Sequence, residues 1–258
     1  MDITKLFSLE GRVALVTGGS KNLGRHIAEG FIAQGAKVYI SSRKADACAQ
    51  TAEELGLNCI ALPMDVSSVE GCKALAAAFA AREEKLDILV NNAGAAWGAP
   101  AEDHPIEAWD KVMNLNVRGY FILSQYIGKH SMIARHCGSI INVASIAGLG
   151  GNPSGMKTLA YNTSKAAVIN FTRALAGEWG EHGIRVNAIC PGFFPSKMTA
   201  GLMKSLGEEA LAAHAPLRRL GDDEDLKGLC VLLASDAGKH ITGQWLAVDG
   251  GVSCISGG

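Results

Sequence analysis

Residues 12–24, Arg12-Val13-Ala14-Leu15-Val16-Thr17-Gly18-Gly19-Ser20-Lys21-Asn22-Leu23-Gly24, hold the pattern on which the fold turns. Through Thr17 the run is apolar and β-branched, as befits a strand covered on both faces. Gly18 allows a tight turn, a helical pattern opens at Asn22, and Gly24 lets that helix pack closely. A strand that turns through glycine into a helix offers free backbone amides at the helix N-terminus, and these suit the pyrophosphate of a dinucleotide. Turns of this make also occur for packing alone, so the rest of the chain has to decide.

Outward from this turn the same alternation continues to the far end. Strand patterns fall at 12–17, 37–41, 58–62, 87–90, 139–143, 185–189 and 245–248, with helical patterns at 22–34, 44–55, 67–84, 106–135, 159–182 and 222–234. Such alternation marks βαβ units feeding a parallel sheet, and the nearly continuous apolarity of the strands predicts helices on both faces. No composition shift, linker or repeat divides the chain, so residues 1–258 are expected to form one α/β domain. Two stretches break the rhythm after strands, where ligands bind in such sheets. One is 148–158, rich in Gly and Pro; the other is 191–206, with Phe193, Phe194, Met198 and Met203. The second is either an amphipathic connector or, at this position, a substrate lid over about 191–214.

Composition narrows the function classes. Hydrophobic residues at 48% and charged residues at 19% allow a sizeable core and exclude a disordered chain. A net charge of -1 argues against nucleic acid or an anionic membrane as the main partner. Seven cysteines without a CxxC argue against disulfides and zinc, so no metal is expected and the compartment is expected to be reducing. No leader-like pattern opens the chain and no run approaches the ~18 apolar residues of a membrane span. The expectation is a cytoplasmic protein.

Four further segments lie at strand ends where a nucleotide site needs them. Asp65-Val66 follows the third strand, where the carboxylate can accept from an adenine amino group or cap a helix. Asn91-Asn92-Ala93-Gly94 ends the fourth strand, with Asn side chains able to fix the loop and Gly94 leaving room for a ribose. Tyr161-Asn162-Thr163-Ser164-Lys165 sets Tyr and Lys four positions apart on one helix face, and Ser145 ends the fifth strand sixteen residues earlier.

Together these residues resemble a short-chain dehydrogenase/reductase over essentially the whole chain. TGGSKNLG resembles the family's TGxxxGxG, NNAG matches, Ser145 and YNTSK match its Ser and YxxxK, and PGFFPS resembles PGxxxT. The resemblance implies a single Rossmann-type, doubly wound domain with a seven-stranded parallel sheet. It also implies reversible hydride transfer between a nicotinamide and a carbonyl or alcohol. Asn116, in Leu115-Asn116-Val117, then joins Ser145, Tyr161 and Lys165 as the catalytic set. Tyr161 would give the proton in reduction, with Lys165 lowering its pKa and gripping the nicotinamide ribose. Ser145 would steady the substrate oxygen, and Asn116 would hold a relay water.

The implied cofactor site uses Gly18, Ser20, Lys21, Asn22, Leu23 and Gly24 of the first turn, then Ser42 and Arg43 after the second strand. Asp65, Val66, Asn92, Ala93 and Gly94 follow, and Pro191, Gly192, Phe194 and Ser196 complete it beside Tyr161 and Lys165. Departures from the pattern are Asn22 for the middle glycine, Ser196 for the usual Thr, Ala144 for a frequent Ser, and a longer Ser145-to-Tyr161 loop. Asn tolerates positive φ better than most residues, and Ser196 keeps the hydroxyl that would bond the carboxamide.

Ser41-Ser42-Arg43-Lys44 and Lys21 put three cations and no carboxylate where an adenosine 2'-phosphate would sit, so NADP(H) is expected over NAD(H). The alternative is a solvated helix start. Trp97, Leu149, Phe194, Met198, Leu202 and Met203 make an apolar expected pocket, unless they only pack the lid against the core. The sequence looks most like the rhamnolipid-pathway type of β-ketoacyl reductase, which favours a hydrophobic ketone. A gluconate or polyol dehydrogenase is the alternative, and a non-catalytic dinucleotide sensor or scaffold is the remote one. Long helices and the C-terminal strand resemble the family's contact surfaces and predict a homotetramer, with a dimer second.

Overall fold

The computed structural model describes residues 2–196 and 199–255, with the side chains of Leu202, Ser205 and Leu206 outside the description. The chain runs β1 (Val13–Thr17), α1 (Asn22–Ala33), β2 (Lys37–Ser41), α2 (Ala45–Leu55), β3 (Cys59–Ala61), α3 (Val69–Ala80) and β4 (Ile88–Asn91). It continues through α4 (Ile106–Met113), α5 (Gly119–Ile127), β5 (Gly138–Val143), α6 (Leu159–Trp179) and β6 (Ile184–Pro191). After β6 come α7 (Ala200–Leu206), α8 (Glu208–His214), α9 (Lys227–Ala234) and β7 (Trp245–Val248). The seven strands form one parallel sheet in the order β3-β2-β1-β4-β5-β6-β7, the doubly wound arrangement expected.

The period of two along each strand sorts its side chains between two cores. Ala14 and Val16 of β1 pack with Ile27, Phe31, Cys48, Cys230 and Leu233 under α1, α2 and α9. Val13 and Leu15 pack on the other face with Leu75, Phe79, Leu123, Ile127 and Leu175 from α3, α5 and α6. β1 pairs β2 on one side and β4 on the other: the chain runs outward from β1 through β2 to β3 and then crosses back to β4 on the far side of β1. That switch opens a crevice beyond the carboxyl ends of β1 and β4.

Two helical expectations need correction. The helix expected over 106–135 is interrupted by π-helical turns at Asn114–Arg118 and Gly128–Met132. Apolar spacing does not register one inserted residue, while packing does: Asn116 is held by backbone outside its helix, and a Cβ on Gly128 would collide with the Trp179 ring. The helix expected from 222 begins only at Lys227, because a two-pronged ion pair from Arg219 to Asp225 (2.5 and 2.6 Å) holds the preceding residues in a loop. The 191–206 stretch is partly helical: α7 and α8 meet at Gly207, whose φ of 82° favours glycine.

Candidate active site

The crevice begins with two loops stitched together at the switch point. The Thr17 hydroxyl accepts from the Asn92 and Ala93 amides at 2.9 and 3.1 Å. In return Asn92 Nδ2 donates to the carbonyls of Thr17 and Gly18 at 2.8 and 3.2 Å. Gly18 needs its missing side chain, because its φ is 66° and a Cβ would stand 2.7 Å from Asn92 Nδ2. A Cβ on Gly24 would collide with the Gly18 carbonyl, so that glycine lets α1 close against the turn. Asn22, standing where a glycine is usual, has φ 47°, the conformation its short amide side chain tolerates. The α1 amides, the bare glycine floor and exposed Lys21 fit a pyrophosphate.

Beneath the crevice floor, Asn116 is wholly buried in its π turn. Its Nδ2 donates to the Ala95 carbonyl and the Ser164 hydroxyl, both at 2.9 Å, and Oδ1 accepts from the Ala95 amide at 2.8 Å. Ser164 passes the link on by donating to the Tyr161 carbonyl at 2.7 Å. A Cβ on Gly94 would lie 3.3 Å from Asn116 Oδ1 and 3.7 Å from Lys165 Nζ, so the bare glycine leaves a gap flanked by both.

Ser145 follows β5 and accepts from the Ala147 amide at 3.2 Å, opening a short 3-10 turn. Gly148 ends that turn against α6, where a Cβ would stand 2.6 Å from the Lys165 backbone. Ser145 is thereby set beside the helix that carries Tyr161 and Lys165. Burial pushes the Tyr161 phenol up, offset in part by the Ser145 hydroxyl next to it. Lys165 is pulled down to about 8 by burial. Its Nζ donates to the Val143 carbonyl at 2.7 Å. The same ammonium stands 5.6 Å from the Tyr161 ring centroid, so the cation expected to act on the phenol lies beside it while its hydrogen bond goes to the Val143 carbonyl.

One cleft of about 220 Å³ gathers most of the expected site. Gly18, Lys21, Asn22, Leu23 and Gly24 line one end, and Asn92, Ala93 and Gly94 line the floor. Ser145, Tyr161 and Lys165 face Pro191, Gly192, Phe194 and Ser196 at the other. Val143, Ala144 and Thr199 line it too and were missed in the sequence. Thr199 could have been found from its place in the lid: its hydroxyl donates to the Phe194 carbonyl at 2.7 Å and accepts from the Ser196 amide at 2.9 Å.

Other expected residues stand apart from that cleft. The Ser20 carbonyl accepts from Thr51 at 2.9 Å, the Ser42 hydroxyl donates to the Lys44 carbonyl at 3.3 Å, and Arg43 is exposed. Asp65 accepts from the Ser67 amide at 3.0 Å in the turn before α3, whose cap is Ser68. Val66 is buried, with its carbonyl close to Gly119 of α5. Trp97 is 42% exposed under the Lys111 ammonium, and Leu149 packs beside the cluster of Tyr120, Val168 and Cys190. Met198 lies outside the described residues, as does the Leu202 side chain. A larger cleft of about 400 Å³ lies between Phe193, Leu211, Leu217 and Asp249 and shares Phe194 as its wall, but holds none of the catalytic set.

The family model described as "Enoyl-(Acyl carrier protein) reductase" matches residues 18–253. A rhamnolipids biosynthesis 3-oxoacyl-[acyl-carrier-protein] reductase of Pseudomonas aeruginosa is 44% identical over 252 residues, covering 95% of this chain and 97% of that one. A 2-dehydro-3-deoxy-D-gluconate 5-dehydrogenase of Pseudoalteromonas atlantica is 40% identical over 250 residues, with 95% and 97% covered. Among solved structures, a Pseudomonas aeruginosa RhlG/NADP active-site complex superimposes with TM-score 0.90 at 42% identity, over 96% of this chain and 99% of that one.

Proposed function

The chain belongs to the short-chain dehydrogenase/reductase family, and from that premise we propose that it is an NADPH-dependent reductase converting a hydrophobic ketone, of β-ketoacyl or similar type, to a secondary alcohol. The observation that carries this reading is the convergence of Ser145, Tyr161 and Lys165 in one cleft with the glycine turn. A non-catalytic sensor would have no need of that trio.

A bound nicotinamide supplies the hydride. Tyr161 gives its proton to the carbonyl oxygen, and its burial keeps the phenol in the protonated state that reduction needs. Ser145 donates to the same oxygen as charge develops on it. Lys165 would hold the ribose of a bound nicotinamide once its ammonium leaves the Val143 carbonyl. Asn116, with both amide hydrogens engaged, keeps one lone pair of Oδ1 for a relay water in the gap left by Gly94. Thr17 and Asn92 hold the glycine turn in place, and the Ser196 hydroxyl would take the carboxamide of a bound nicotinamide.

Selection of NADPH is assigned to Arg43 and Lys44 after β2, with Lys21 across the turn. All three are exposed, and none is in an ion pair among the described residues, so each is available to a 2'-phosphate. Among the described residues lining the cleft the cations are Lys21 and Lys165, both already assigned, which favours a ketone over a sugar acid whose carboxylate needs a partner.

The lid is the 191–214 segment, and the enzyme is assigned to the cytoplasm, where its seven free thiols suit a reducing medium. No described helix is long and apolar enough to cross a membrane. The test is NADPH consumption across β-ketoesters, diketones and simple ketones, set against gluconate-type sugar acids with NADP⁺. Turnover confined to the sugar acids would replace this reading with the dehydrogenase one.

A further inference from the structure

Lys165 is held by a residue outside the catalytic set. The hydroxyl of Tyr120, on α5, donates at 3.3 Å to the same Val143 carbonyl that takes Lys165 Nζ at 2.7 Å. That ammonium also stands 5.6 Å from the ring centroids of Tyr120 and of Tyr161, within cation–π range of both. Tyr120 is 2% exposed, and Val143 is the hydroxyl's partner among the described residues. A carbonyl oxygen has two lone pairs, so one acceptor serves both donors.

We propose that Tyr120 is a positioning residue for Lys165: its hydroxyl shares the Val143 carbonyl, so the ammonium can leave that oxygen for a ribose without stranding a buried acceptor. The proposal rests on the cleft being a dinucleotide site. A carbonyl left bare in this dry setting would pull the ammonium back, since an unsatisfied buried acceptor costs more than a made hydrogen bond contributes. With the Tyr120 hydroxyl in place, that carbonyl keeps a donor when the ammonium leaves. The ring supplies a second hold on the cation, partly offsetting the desolvation that pulls Lys165 down to about 8.

The groups facing Lys165 are Tyr120 from α5, Tyr161 from its own helix, Cys190 from β6 and the uncharged Asn116 across Gly94. Burial raises both phenols and pushes the Cys190 thiol to about 11, so through neutral pH Lys165 is the member of the cluster that titrates. Tyr120→Phe removes only the hydroxyl. Val143 then has Lys165 as its one strong donor and holds it in the charged form.

The experiment follows Lys165 by NMR in full-length protein labelled at lysine Cε, with Lys165→Met assigning the signal. In cofactor-free Tyr120→Phe the titration midpoint is expected to rise by about half a pH unit, and NADPH affinity measured by fluorescence to fall about three- to tenfold. Thermal melting checks that the fold is kept, and Tyr126→Phe on the same helix is the control. An unmoved Lys165 midpoint overturns the proposal. If wild type fails to bind NADPH, the functional reading falls, while the titration still decides whether Tyr120 governs Lys165.

Discussion

Tyr161 sits where burial pushes its phenol up, with the Ser145 hydroxyl beside it as a partial offset. Tyr161→Phe keeps the ring and loses the donor, so it should still quench NADPH fluorescence while ketone reduction drops about 10²- to 10⁴-fold. Turnover near wild type in that variant removes Tyr161 from the mechanism. Arg43 decides a different question. It is exposed at the end of β2, beside Ser42 and Lys44 and with no acidic side chain between the strand and Asp46. Arg43→Asp replaces a charge-assisted bond with repulsion; at roughly 1.5 to 3 kcal/mol per bond, the preference for NADPH should drop at least about tenfold. NADH, lacking the phosphate, should be affected far less, and Lys21→Ala should act in the same direction more weakly. Equal losses with both cofactors, measured at fixed ketone, would make Arg43 a structural residue.

At the scale of elements, the long connection from Ser145 to Tyr161 is tied down by amides. Asn152 Nδ2 donates to Asn162 Oδ1 at 3.0 Å and Asn162 Nδ2 returns the bond to Asn152 Oδ1 at 2.8 Å, with the Thr158 hydroxyl donating to Asn162 Oδ1 at 2.9 Å. The Lys157 carbonyl also accepts from the Ala99 amide at 2.8 Å, strapping this loop to the one after β4. Asn152→Ala cuts the clasp one residue from the Tyr161 helical turn. Ketone KM should rise about three- to tenfold, with NADPH affinity kept, because the variant removes the bonds of Asn152 to Met156, Thr158 and Asn162 while leaving the glycine turn untouched. A parallel rise in the NADPH constant would show that the clasp supports the whole cleft instead.

This clasp was not legible in the sequence, since Asn152 belongs to no periodic pattern and meets Asn162 of the helix only once the loop folds back. The strands, the glycine turn and the spacing of Ser145, Tyr161 and Lys165 were legible, because burial on both faces writes itself as unbroken apolar runs and the turn needs glycine for steric reasons. The π turn at Asn116 and the delayed start of α9 were not, because each depends on a partner distant in the chain or on an ion pair across a loop. For the same reason the bond from Lys165 Nζ to the Val143 carbonyl could not be foreseen: the motif sets Lys165 near Tyr161 but does not name the strand-end oxygen beside it.

Across the whole molecule, several large apolar side chains are exposed, and two of them are aromatics on elements able to pair. On α5 Phe121 is 47% exposed, and at the free edge of the sheet β7 presents Trp245, 38% exposed. An edge strand with unpaired backbone and an aromatic beside it invites pairing, as does an aromatic on the open face of a helix. Each surface can serve its own two-fold axis, and two independent two-fold interfaces generate a closed tetramer. The enzyme is therefore expected to be a homotetramer by light scattering at micromolar concentration. Phe121→Lys places a charge at one axis and should yield dimers, and Trp245→Lys should yield dimers through loss of the other. The double variant should then sediment as a monomer. A monomeric wild type defeats this assignment, and a tetramer that survives both substitutions locates its interfaces elsewhere on the chain.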